Sequence, residues 1–197
     1  MTPLVITNYT FIDDVIPINE VTLLVGLPGS GKTYSLIKFL NANKIVPIHV
    51  NLDRSPTGNL KALPYGEEVV TACLVTDEIS GLQDRVIIFD HYSRVDEFLD
   101  WGEDKKGKDR LAKAFEDLAH NHKCTVIVIA HPEDYVGKDG VFKDNKTLAR
   151  NCAEYMYIDS IQPRGKTGTT ASIVHKLHIR KGRGSGGDRI IDNWMRP

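Results

Sequence analysis

Eight consecutive residues, Gly26-Leu27-Pro28-Gly29-Ser30-Gly31-Lys32-Thr33, have the types and spacing needed to hold a nucleoside triphosphate. Glycines at 26, 29 and 31 let successive backbone N–H groups curl into a concave nest for anionic oxygens. Lys32 then reaches toward the β and γ phosphates, and the Thr33 hydroxyl sits where it can ligate Mg²⁺. A helix opening near Lys32 adds the unpaired amides and the positive pole of its first turn. The expected cofactors are a nucleoside triphosphate, taken as ATP, and Mg²⁺, held by Gly26 through Thr33 with Tyr34 beside them.

Other side chains can join that chemistry. Arg85-Val86-Ile87-Ile88-Phe89-Asp90 is an apolar strand ending in a carboxylate, and Asp90 is expected to hold a water on the metal. Asp53, after the run Val50-Asn51-Leu52, is the candidate base that orients or deprotonates the attacking water, with Glu67, Glu68 and Glu78 as alternatives. His131 follows Val128-Ile129-Ala130 and can hydrogen-bond a γ-phosphate and report its loss to the next loop. His91 carries a weaker signal. Lys181 and Arg183 are expected on a glycine-rich hairpin tip, Lys181 to Gly187, too far from their own sheet edge but able to reach a neighbour's. An arginine given in trans stabilises charge on the transferred phosphoryl.

The elements that must position these groups read as alternating strands and helices, the pattern of a mostly parallel α/β sheet flanked by helices. Five apolar runs read as strands: Val21 to Val25, Ile45 to Val50, Val86 to Phe89, Thr125 to Ala130 and Tyr155 to Ile158. Helices are expected over Lys32 to Leu40 and about Asp109 to His120, where Leu111, Ala114, Phe115 and Leu118 recur at helical spacing. Ala171 to Arg180 and Asp188 to Trp194 read as the arms of a C-terminal β-hairpin. Trp101 to Lys108 and Tyr135 to Lys146 read as mobile loops. In such folds ligands gather at strand carboxyl ends, where Gly26, Asp53, Asp90 and His131 all fall.

The 197 residues suit one domain, with residues 1–19 as an extension and 171–195 as the hairpin. A net charge of −1 provides no global basic field, so any nucleic-acid contact must be local. Cys73, Cys124 and Cys152 are scattered and odd in number, as expected of reduced thiols in a cytosol-like compartment. No basic start with a long apolar run and no bilayer-length stretch occurs, so a soluble, cytoplasmic protein without a membrane partner is expected.

The order of these motifs resembles the RecA-like ATPase core, in particular the DnaB-type hexameric helicase domain and the small RecA-like ATPases of phage replication and recombination. The likeness runs from the loop at Gly26 to Thr33, through Asp53 where the helicases usually have Glu, to Asp90. It continues through His131, similar to their Gln or His switch residue, to Lys181-Gly182-Arg183-Gly184, similar to their finger hairpin. Ser185 departs from that pattern. The resemblance implies a RecA-like P-loop NTPase fold, a ring or filament of identical subunits, and ATP hydrolysis stimulated by single-stranded DNA in a host or cellular cytoplasm. It also implies that Tyr135 to Lys146 is a DNA-binding loop, with Lys138, Lys143 and Lys146 on phosphates and Tyr135 and Phe142 available for base stacking. Two other readings stay open: a small-molecule or polynucleotide kinase, whose lid arginine would be Arg150 or Arg164, and a nucleotide-gated interaction module with little turnover.

Overall fold

A computed structural model describes residues 11–26, 29–52, 54, 57–76, 81–101, 105–131, 152–161, 174–182 and 189–192. Valine, isoleucine and leucine dominate three runs that form β3 (Val21–Gly26), β6 (Val86–Asp90) and β7 (Thr125–Ala130). These strands are buried almost throughout, as strands covered on both faces must be. They join β4 (Ile48–Asn51), β5 (Leu63–Tyr65), β8 (Glu154–Ile161), β9 (Val174–Gly182) and β10 (Arg189–Asp192) in one sheet of order β10-β9-β8-β3-β7-β6-β4-β5. From β8 to β5 every neighbouring pair is parallel. The fold is thus α/β, with a parallel sheet flanked by helices.

Alternation along the strands divides the core in two. Leu24, Ile88, Ile127 and Ile129 face α1 (Lys32–Ala42), meeting Leu36, Ile37, Phe39 and Leu40. Val25, Val50, Phe89 and Val128 face the opposite way, toward α2 (Glu67–Leu74), α3 (Tyr92–Leu99) and α4 (Lys105–Asn121). There the fully buried ring of Phe115 on α4 packs on Phe89 with centroids 5.1 Å apart. The N-terminal extension contributes more than a lead-in: β1 (Phe11–Ile12) and β2 (Ile16–Pro17) pair antiparallel, and Ile12, Val15 and Ile16 join the α1 face of the core.

The sheet ends at β5 for a local reason. Leu63 donates its N–H to Pro47, so the main-chain groups of Leu63 and Tyr65 face β4 and those of Pro64 face outward. Proline has no N–H, so the outer edge lacks a donor there for a further strand.

Several sequence expectations need adjustment. Residues 45–47 precede β4 instead of belonging to it. Lys105 to Lys108, read as mobile loop, form the first turn of α4, continuing the helix whose apolar stripe holds it on the sheet. Lys181 lies within β9, beside Tyr155 of β8, and not on a hairpin tip. β9 and β10 pair antiparallel, Arg189 opposite Ile179, and residues 183–188 between them are outside the described residues. Among the described residues no helix is long and apolar enough to cross a membrane.

Candidate functional site

The carboxyl ends of β3, β7, β6 and β4 lie side by side, with Gly26, Ala130, Asp90 and Asn51 as their last residues. After Gly26 the chain turns through Gly29 and Gly31, at φ 74° and 76°, before α1 begins. Left-handed backbone of this kind is costly for any residue with a Cβ, which accounts for glycine at both positions. Gly31 caps α1 with backbone alone, and no acidic residue occupies the first turn. Ser35 closes the turn instead, its hydroxyl donating to the Gly31 carbonyl at 2.6 Å.

The first helical residues are buried. Lys32 is 5% exposed, and its ammonium donates to the Gly26 carbonyl at 2.8 Å, spanning the loop from end to start. Thr33 donates its hydroxyl to Asp90 Oδ2 at 2.7 Å. β7 separates β3 from β6, so their axes are about 10 Å apart at normal strand spacing. The start of α1 therefore overhangs β7 to bring Thr33 against the end of β6. Ser30 is buried in the same loop, and its hydroxyl has no hydrogen-bond partner. Tyr34, one residue into the helix from Thr33, turns outward and is exposed.

Asp90 is the hub of this edge. Its carboxylate is 2% exposed and also lies 3.2 Å from His49 Nε2 on β4. Its carbonyl accepts from Leu52 N–H at 2.7 Å, which ties the chain after β4 to the end of β6. The next residue, His91, follows a cis peptide bond and caps α3, accepting from the Ser93 N–H. Its ring lies on that of His131 with centroids 4.0 Å apart, and its Nε2 is buried without a partner. Burial pushes the His91 imidazole down to about 4, helped by His131, Lys32 and Arg94 and opposed by the Asp90 carboxylate. His91 is thus neutral at pH 7.

On the opposite face of the sheet, a cavity of about 530 Å³ opens beside this edge, lined by Leu52, Arg54, Glu67, Arg94, Glu97 and Phe98. Glu67 and Glu68 begin α2 and are exposed, Glu68 accepting from the Gly66 N–H. All three cysteines are free and buried, and burial pushes the Cys73 thiol up to about 12, with the nearby Cys124 adding to the rise. Their burial suits packing groups.

Of the residues singled out in the sequence, Gly26, Gly29, Ser30, Gly31, Lys32, Thr33, Asp90 and His131 converge on this edge. Leu27, Pro28, Asp53, Glu78, Lys138, Lys143, Lys146 and Arg183 lie outside the described residues. The backbone of Lys181 is far from the edge: it pairs with Tyr155, which pairs with Leu23, three positions short of Gly26 on β3. β9 runs antiparallel to β8 and reaches Gly182 opposite Glu154, so β9 ends at the amino end of the sheet. Sequence reasoning missed His49. The available signal was a polar residue between Ile48 and Val50 in a strand covered on both faces, where an imidazole requires a partner. No protein-family model matches this chain, and no curated protein matches it either.

Proposed function

We propose that this chain is an ATP-hydrolysing, RecA-like motor or recombination ATPase, stimulated by single-stranded DNA and completed at each site by a neighbouring copy. The observation that carries the reading is the 2.7 Å contact between Thr33, at the start of α1, and Asp90, two strands away. A hydroxyl and a carboxylate meeting at the mouth of a glycine nest suit a Mg²⁺ ion that takes its remaining ligands from water and phosphate. The buried, unpartnered Ser30 hydroxyl and the buried Lys32 ammonium are groups that phosphate oxygens would satisfy. The bound ion would supply charge neutralisation between the β and γ phosphates.

The chain's own residues divide the remaining work. Lys32 leaves the Gly26 carbonyl for the phosphates and offsets their charge. Thr33 and Asp90 hold the ion, and Asp53 is the candidate that orients the attacking water. His131, the residue after the strand lying between the loop and Asp90, is proposed to hydrogen-bond the γ-phosphate. The neutral His91 ring, tilted 38° against it, adds no competing charge to that contact. Arg183 follows a strand that ends at the amino edge, which favours service to another copy over its own site. Lys138, Lys143 and Lys146 are proposed to meet DNA phosphates.

Hydrolysis measured with and without single-stranded DNA over a salt series tests the proposal. Stimulation that falls steeply with salt is expected, and a rate indifferent to DNA refutes the motor reading. Lys32→Ala should abolish turnover, whereas Arg183→Ala should bind nucleotide and lose roughly 10³-fold or more in rate. Mixing the two variants should restore activity, because a Lys32→Ala subunit still lends its Arg183. No rescue at any ratio, or full-speed cleavage by a monomer, would sink the shared site.

A further inference from the structure

His49 is 2% exposed in the middle of a strand covered by helices on both faces. Strand register sets it opposite Ile88 and sets Asn51 opposite Asp90, so the imidazole reaches diagonally along one face of the sheet to the carboxylate. Its Nε2 lies 3.2 Å from Asp90 Oδ2, the same oxygen that accepts from Thr33 Oγ1 at 2.7 Å. A carboxylate oxygen only accepts, so both partners donate to it. The donors come from different elements, β4 and α1, and converge on one atom. Rotation of the carboxylate about its Cβ–Cγ bond would forfeit both bonds in a site with little water to replace them.

We infer that His49 is a positioning residue that fixes the Asp90 carboxylate in its metal-holding orientation; this rests on the nucleotide reading above. An aliphatic side chain would pack at position 49 as Ile88 does beside it, so the imidazole is explained by its hydrogen bond to Asp90. Loss of His49 would take from the carboxylate the donor that comes from β4 and loosen its hold on one orientation. His49 acts through Asp90 and needs no contact with phosphate.

The test is equilibrium binding of a fluorescent ATP analogue to the full chain, in Mg²⁺ and in EDTA, for wild type, His49→Leu, His49→Met, His49→Gln and Asp90→Asn. Wild type should bind more tightly in Mg²⁺. His49→Leu and His49→Met should lose about tenfold of that Mg²⁺-dependent gain, the worth of one charge-assisted hydrogen bond, while binding in EDTA stays within about twofold. His49→Gln, whose amide can donate in place of the imidazole, should keep most of the gain. In an Asp90→Asn background His49→Leu should change the gain no further. Equal losses with and without Mg²⁺ would assign His49 a packing role and overturn the inference, as would a full gain in both apolar variants. A wild type that binds nucleotide in neither buffer instead refutes the nucleotide reading, and this inference with it.

Discussion

His91 gives the protein an acid sensitivity that can be worked out in advance for the metal-free, nucleotide-free chain. Its ring is 5% exposed, its Nε2 has no partner, and the groups around it are His131, Lys32 and Arg94 on one side of the balance and Asp90 on the other. Its value is pushed from 6.5 down to about 4. Between those two values the unfolded chain binds the proton and the folded one does not, so unfolding becomes easier as pH falls. The contribution is flat above pH 6.5, grows as pH falls toward 4, and is flat again below that. At 1.36 kcal/mol per unit the loss has an upper bound of about 3 kcal/mol, less whatever the ring recovers by shifting toward water. The variant to compare is His91→Asn, because Asn can still accept from the Ser93 N–H and cap α3 while it carries no titrating group. Urea unfolding at intervals from pH 8 to pH 4 should show wild type losing about 2–3 kcal/mol more than His91→Asn, nearly all of it below pH 6.5. Parallel pH profiles for the two proteins would refute the burial argument. A difference appearing above pH 7 would refute the assignment to His91.

The loop offers two further tests. Gly29→Ala introduces a Cβ with nothing within 4 Å but at φ 74°, so it should cost about 1–2 kcal/mol through the backbone alone. A loss beyond about 4 kcal/mol in a denaturant titration would mean that packing and not conformation demands glycine there. Thr33→Val removes a buried donor to Asp90 while keeping the side chain's shape, and should lower stability by about 1.5–3 kcal/mol. An unchanged unfolding midpoint would show that the Thr33 contact with Asp90 contributes nothing.

The parts of this site that were legible in the sequence are those whose chemistry is local. Gly26 to Thr33 stand out because the three glycines, the lysine and the hydroxyl are close neighbours in the chain, and β3, β6 and β7 are apolar runs with clear ends. α3 was missed because it starts one residue after β6 and is capped by a histidine, not by the usual Ser, Thr, Asp or Asn. β5 was missed because Pro64 argues against a strand, although at an edge the proline is what the strand requires. Lys105 to Lys108 looked like loop around Gly107, yet the apolar stripe beginning at Leu111 extends the helix back through it. His49 could not be found by motif at all. Its meaning depends on β4 lying next to β6, and strand order is a property of the whole chain.

Strand order also bears on how the proposed reaction would be organised. With β7 between β3 and β6, the residue after β7 falls between the glycine loop and Asp90. A histidine there can respond to the terminal phosphate, whereas the same residue after an outer strand would have nothing to sense. The opposite end of the sheet obeys the same logic. Lys181 is two strands from β3 and level with Leu23, so about 10 Å across and 10 Å along the sheet separate its backbone from Gly26. β9 ends at Gly182, opposite Glu154 at the amino edge, while the phosphates would sit beyond the carboxyl edge. For Arg183, the next residue in sequence, to serve its own chain, it would have to reach back from the level of Glu154 to that of Ile158, four positions along β8. Service to a neighbour requires only that two copies stack with the amino edge of one near the carboxyl edge of the next. Such a contact is head-to-tail, and head-to-tail repetition generates either a closed ring or an open filament. The rescue experiment with Lys32→Ala and Arg183→Ala therefore probes geometry as well as chemistry: complementation requires this heterologous contact, and a strictly symmetric pair that buries one edge against its twin would not provide it.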